Sequence, residues 1–180
     1  MSKPVKYALA VVVQNAAGEF LLVKRPDDDP DFGGQWGLPA TTLRPGELPE
    51  QAAQRVCSEK LNCRANPTCF LSIMFQKRNA YDIFLMDVEM QLAGDKQPEV
   101  LGAKTEHTAY VDQKWSSDPT ELIASAKLGA CCSSIFLTDR GLLDRDAWIA
   151  SLEGSDTAPG KWPTARHRPP LFLSYEGGCR

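Results

Sequence analysis

The run Tyr7–Val13 (YALAVVV) restricts the fold more than any other feature of the chain. It is apolar throughout and ends in β-branched residues, and it is far shorter than the ~18 apolar residues that span a bilayer. It therefore reads as a strand. Gln14–Gly18 (QNAAG) makes a small-polar turn and Glu19–Lys24 (EFLLVK) a second strand, so the chain opens on a hairpin. Arg25–Gly34 (RPDDDPDFGG) follows, and its prolines, glycines and aspartates exclude a helix or a central strand.

A different periodicity begins at Leu48. Leu48–Leu61 has Pro49 where a first helical turn tolerates it and no interior breaker. Leu48, Ala52, Ala53, Val56, Cys57 and Leu61 fall on one apolar face, and Asn62 is an acceptable helix stop. Cys69–Gln76 and Tyr81–Met90 predict two more strands about a turn at Lys77–Ala80. Leu92–Lys104 is a polar connector, and Thr108–Asp112 predicts a shorter strand. Pro119–Leu128 predicts a second helix capped by Ser117 or Asp118, and Asp144–Leu152 a third. From Gly154 the composition turns to Gly, Pro and basic residues. The expected organisation is one domain over 1–153 and a C-terminal tail over 154–180.

Composition narrows the function classes. The 180 residues fit a single domain, and 43% hydrophobic content is enough for a core. A net charge of −3 and a pI near 5.4 argue against a surface built to cover extended nucleic acid. No apolar stretch suits a membrane span or a signal peptide, so a cytoplasmic protein is expected. The six cysteines form no Cys-x-x-Cys pair and the chain has only two histidines, so reduced thiols used as small apolar side chains are expected instead of a zinc site.

The segment that carries chemistry is Gly34–Cys63, GQWGLPATTLRPGELPEQAAQRVCSEKLNC. It resembles the Nudix box and its approach. Trp36-Gly37-Leu38-Pro39 stands as the approach, Pro45-Gly46-Glu47 as the turn with its glutamate, Arg55 as the box arginine and Glu59 as one of its glutamates. The two opening strands also look like that family's start. Four positions depart from the pattern: Thr41 stands for the first Gly, Val56 for the glutamate after Arg, Lys60 for the last glutamate and Asn62 for the final Gly.

The resemblance implies an α/β fold, a Nudix-like α/β/α sandwich with a mixed curved sheet. It implies hydrolysis of a diphosphate linkage in a nucleoside diphosphate derivative, with Mg²⁺ or Mn²⁺ as cofactor, and often a homodimer. Carboxylates on successive turns of one helix face offer hard oxygen ligands to such an ion, which neutralises pyrophosphate oxygens and activates water. Positions 56, 59 and 60 are expected on one face, and that face reads Val, Glu, Lys.

The candidate catalytic residues are Glu59, Arg55 and Glu47. Candidate metal ligands are Glu59, Glu47 and Glu106, the last matched by region only, with Asp27, Asp28, Asp29 and Asp31 as loop acids able to swing over the site. Candidate substrate-binding residues are Lys60, Arg25, Phe32 and Arg44. Phe32 is a better stacking surface than Trp36, which reads as a core or loop anchor.

Each position has a plainer reading. Glu47 suits a helix first turn, Glu59 pairs with Arg55 at helical spacing, Lys60 reads as a solvated surface lysine, and the aspartate run reads as a solvated turn. An ammonium at position 60 repels a metal and suits a phosphate. Two further functions thus stand beside hydrolysis. One is a non-catalytic module for a small nucleotide-type ligand. The other is a protein-interaction domain in which the second half contacts a partner, and Gly129–Phe136 is a candidate part of the homodimer interface the resemblance implies.

Overall fold

The computed structural model describes residues 3–101 and 109–144. The predicted third helix, the tail, Glu106 and His107 lie outside the described residues apart from Asp144 itself.

Among the described residues seven strands form one mixed sheet: β1 (Val5–Gln14), β2 (Phe20–Lys24), β3 (Trp36–Gly37), β4 (Ala40–Thr42), β5 (Ala65–Lys77), β6 (Asp82–Leu92) and β7 (Asp112–Ser116). The main order is β3-β2-β1-β6-β5, with β4 on β1 and β7 on β2. β1 and β6 run parallel along their whole length, from Val5↔Asp82 to Gln14↔Gln91. β5 and β6 form an antiparallel hairpin interrupted by irregularities near Pro67 and Phe70.

The apolar run in β1 is continuous because both of its faces are covered. Leu9, Val11 and Val13 pack with Ala53, Val56, Cys57 and Leu61 under the first helix. Ala8, Ala10 and Val12 pack with Leu122, Ile135 and Phe136 on the opposite side. This is the α/β sandwich expected from the sequence.

The first helix, α1 (Pro49–Arg55), starts with proline at its first position, and Gln51 accepts a hydrogen bond from the Leu48 backbone N–H at 3.0 Å. Its continuation differs from expectation. Val56–Lys60 forms a wide π turn, and Asn62 ends the segment at φ 47°, a left-handed conformation that asparagine tolerates.

The second predicted helix is one 3₁₀ turn, Pro119–Leu122, leading into α2 (Ile123–Lys127). Asp118 caps it by accepting from the Thr120 N–H at 2.9 Å.

Two expectations are corrected. The strand placed at Thr108–Asp112 is β7, Asp112–Ser116. The apolar signal at Tyr110 belongs to a buried plug whose hydroxyl accepts from the Ala40 N–H at 2.9 Å. Trp115 and Gln113 instead take register with Leu21 and Val23 of β2. The Gly129–Phe136 segment is not an exposed interface. It leads into a helix, α3 (Cys131–Asp139), whose Cys131, Ile135, Phe136 and Leu137 are buried in the core. Its Ser- and Cys-rich sequence is a poor helix former, and core burial overrides propensity.

Cys57, Cys63, Cys131 and Cys132 are free thiols, the first three buried.

Candidate functional site

After the single pairing Gln14↔Phe20, β1 and β2 part, and the 36–42 segment fills the gap, with Val11 N–H donating to Pro39 O at 2.9 Å. A cavity of about 850 Å³ opens there, within the range of small-molecule sites. Its floor comes from the starts of β1 and β6 (Ala8, Ile83, Leu85), and its inner wall from the start of α3. Six basic side chains line it: Lys6, Arg25, Arg44, Arg55, Lys60 and Arg78. The acids among its lining residues are Asp31 and Glu59.

Arg55 is the structural centre of the box. Its Nε donates to Glu47 Oε1 at 2.6 Å and its Nη2 to Glu47 Oε2 at 2.8 Å. The same guanidinium reaches Thr41 Oγ1 and the Thr42 carbonyl, both at 3.0 Å. Glu47 Oε2 also accepts from the Arg44 N–H at 2.8 Å. The pair thus staples the 41–47 turn onto α1. The hydrogen bond from Arg55 is the main reason Glu47 ionises below the usual carboxylate range, and the same pairing raises Arg55.

Glu59 sits at the cleft edge with its side chain 40% exposed, facing Arg44 Nη2 at 3.4 Å and Arg55 Nη1 at 3.9 Å.

Lys60 departs from its plain surface reading. It is 5% exposed, lines the cavity, and donates from Nζ to the Ala40 carbonyl at 2.6 Å. The Tyr110 ring lies 5.4 Å from the ammonium. Burial first, then Arg25 and Arg55, push its pKa down to about 8, with Glu59 opposing.

Positions 56, 59 and 60, expected on one face, do not all reach the cleft. Val56 is fully buried under α1, whereas Glu59 and Lys60 reach the cavity.

The Arg25–Gly34 loop is folded around Asp29. Its Oδ2 takes Arg25 Nη1 at 2.8 Å, and its Oδ1 accepts from the N–H groups of Asp31 and Phe32 at 3.0 and 2.8 Å. Burial alone would raise Asp29, but these donors outweigh it and hold the carboxyl low. The aspartate run is therefore not a plain solvated turn. Phe32 places its ring 5.2 Å from the Arg25 guanidinium carbon and 5.8 Å from that of Arg78. Trp36 packs against the core as expected, with the Lys114 ammonium 4.5 Å over its ring.

The structure therefore brings Arg25, Phe32, Arg44, Arg55, Glu59 and Lys60 around one cavity, with Glu47 behind Arg55. Lys6 and Arg78 were not anticipated. Arg78 lies in what the sequence marks only as a turn, and Lys6 lies in β1 one residue before the strand read from the sequence, with no motif around it.

A resident Mg²⁺ or Mn²⁺ finds a poor donor set here. Both Glu47 oxygens and both Asp29 oxygens are engaged by donors, Val56 offers no oxygen, and Lys60 is a cation. Among the described residues no group of three His, Cys, Asp or Glu side chains is placed to hold a metal ion. The box residues present do not fit the ion the motif implies.

Comparison with known proteins identifies the architecture. The NUDIX domain family matches residues 4–124. Among solved structures, the MutT protein of Methanosarcina mazei Go1 superposes with a TM-score of 0.62 at 17% identity, covering 78% of this chain and 96% of that one. The ORF135 protein of E. coli gives 0.59 at 19% identity, covering 80% and 96%. A C. elegans Ap4A hydrolase gives 0.53 at 21% identity, covering 81% and 98%. At these identities the likeness is one of fold. No curated protein sequence matches the chain.

Proposed function

The chain belongs to the NUDIX domain family, and we propose that its cleft binds the phosphate groups of a small nucleotide-type molecule, a nucleoside diphosphate derivative. The observation that carries this reading is the charge of the cavity: six basic side chains against Asp31 and Glu59, in a chain whose net charge is −3. A protein that is acidic overall has concentrated cations in one concave site, which favours an anion there. Phe32 supplies an aromatic surface at the mouth for a base. No helix among the described residues is long and apolar enough to cross a membrane.

Hydrolysis of the diphosphate linkage with Mg²⁺ or Mn²⁺ is the second reading, and one observation favours it. Glu59, the retained box glutamate, opens on the cleft with 40% of its side chain exposed. The donor set around it favours binding over this chemistry.

The test is calorimetric titration with nucleoside diphosphates, nucleoside monophosphates and the parent nucleosides. Each is paired with chromatography of the mixture after incubation with Mg²⁺ or Mn²⁺. Binding that strengthens with phosphate number and weakens with salt supports the reading. Binding of nucleosides alone, or of none of the panel under any metal condition, overturns it. Release of monophosphate would establish the hydrolytic reading.

A further inference from the structure

We propose that Lys60 is a built-in cation standing in place of a divalent metal, so that the cleft takes the free diphosphate group and not its metal complex. This deepens the proposed function and rests on it.

Lys60 is 5% exposed, yet it lines the cavity, so its side chain is largely withdrawn from bulk water while bordering the ligand space. An ammonium carries three donors. The Ala40 carbonyl takes one at 2.6 Å and fixes the group in position, leaving donor capacity for a ligand oxygen. Ala40 belongs to β4, which is tied to β1 by the pairing Ala10↔Ala40, so the anchor is part of the sheet.

Arg25, Arg44, Arg55 and Lys60 converge on this end of the cleft, and Glu59 is the carboxylate among its lining residues there. That carboxylate faces Arg44 and Arg55. Glu47 neutralises Arg55, and Asp29 neutralises Arg25. Arg44 and Lys60 are left with one half-exposed glutamate, which also faces Arg55. A withdrawn cation in that setting is under-compensated and favours an incoming anion. An incoming Mg²⁺ would meet repulsion from the ammonium and find Glu59 already facing two guanidinium groups. A diphosphate meets the opposite field, with charge-assisted donors from Lys60 and Arg44.

The probe is inorganic pyrophosphate, titrated calorimetrically into the full chain in EDTA and again in excess Mg²⁺. Lys60→Met and Lys60→Gln are tested beside the wild type. Gln keeps a donor for Ala40 while removing the charge, which provides a second variant should Met fail to fold.

The expected result is saturable binding in EDTA that Mg²⁺ does not tighten. Affinity falls about tenfold in both variants, while the melting temperature holds or rises because an under-compensated buried charge has gone. A merely structural lysine would lower the melting temperature instead. Binding only in Mg²⁺ overturns the proposal and leaves the phosphate-binding function standing. Unchanged affinity in folded variants also overturns it. No binding in either condition overturns the proposal and the phosphate-binding function together.

Discussion

Arg55 grips both carboxylate oxygens of Glu47, at 2.6 Å from Nε and 2.8 Å from Nη2, with side chains only 12% and 11% exposed. A glutamate of the box is thereby engaged in holding a turn. Glu47→Gln is expected to cost about 1–3 kcal/mol of stability, because one charged partner of a largely buried pair is lost. Urea unfolding measures it. Pyrophosphate affinity should change little, since Glu47 stands behind Arg55 and is not among the cavity-lining residues. A stable variant that no longer binds would place Glu47 in the binding machinery.

The same pair carries a pH signature. Glu47 is held below its ordinary value of 4.5, chiefly by the Arg55 hydrogen bond. Its contribution is complete above the unfolded value and is lost as pH falls through the lower folded value. Urea midpoints followed down to acid pH should drop in the wild type and drop less in Glu47→Gln. Parallel curves would remove this pair from the acid limb.

Asp87 makes the opposite prediction. It is fully buried on β6 between Ala10 and Ser72, and neither carboxylate oxygen has a hydrogen-bond partner. Burial, and then Asp139 of α3, push its pKa well up. A raised carboxyl costs stability as pH rises from the unfolded value of ~3.9 toward the folded one. Asp87→Asn should therefore gain about 1–3 kcal/mol at neutral pH, and the gain should vanish in acid. Denaturant midpoints at both pH values decide it. A variant weaker than wild type at neutral pH would contradict the account.

Much of the fold was legible because its signals are local. The both-faces-apolar run in β1, the Pro49 start and the Asn62 stop each follow from residue chemistry at their own positions. The departures came from tertiary terms. α3 forms in a Ser- and Cys-rich segment because Ile135, Phe136 and Leu137 have a core to enter. β7 lies beyond Tyr110 because that ring is buried as a plug beside Ala40.

The site was legible where a motif marked it, at Arg55, Glu59 and Lys60. Lys6 and Arg78 join it only through strand pairing, which brings Lys6 opposite Ile83 and carries Arg78 past the end of β5. The burial of Lys60 rests on contacts distant in sequence, the Ala40 carbonyl and the Tyr110 ring, which no local pattern reveals.

Gly33 tests the loop that walls the cleft. A Cβ there would lie 2.5 Å from the Asp27 carbonyl oxygen and 3.1 Å from that of Asp29. Gly33→Ala should force the Asp29-centred loop to move, at a cost of about 1–3 kcal/mol. Nucleotide affinity should fall with it, because Arg25 and Phe32 are placed by the same loop. Thermal melts and calorimetry measure the two effects. Wild-type values in both would show that the loop plays no part.

The account's central claim is that this box presents cations to phosphate and not carboxylates to a metal. The most direct measurement is calorimetric titration of Mn²⁺ and Mg²⁺ into the ligand-free full chain, with Glu59→Gln beside it. No saturable binding of either ion in either protein is the predicted result. Stoichiometric binding in the wild type that disappears in Glu59→Gln would contradict the claim and return the cleft to metal-dependent hydrolysis.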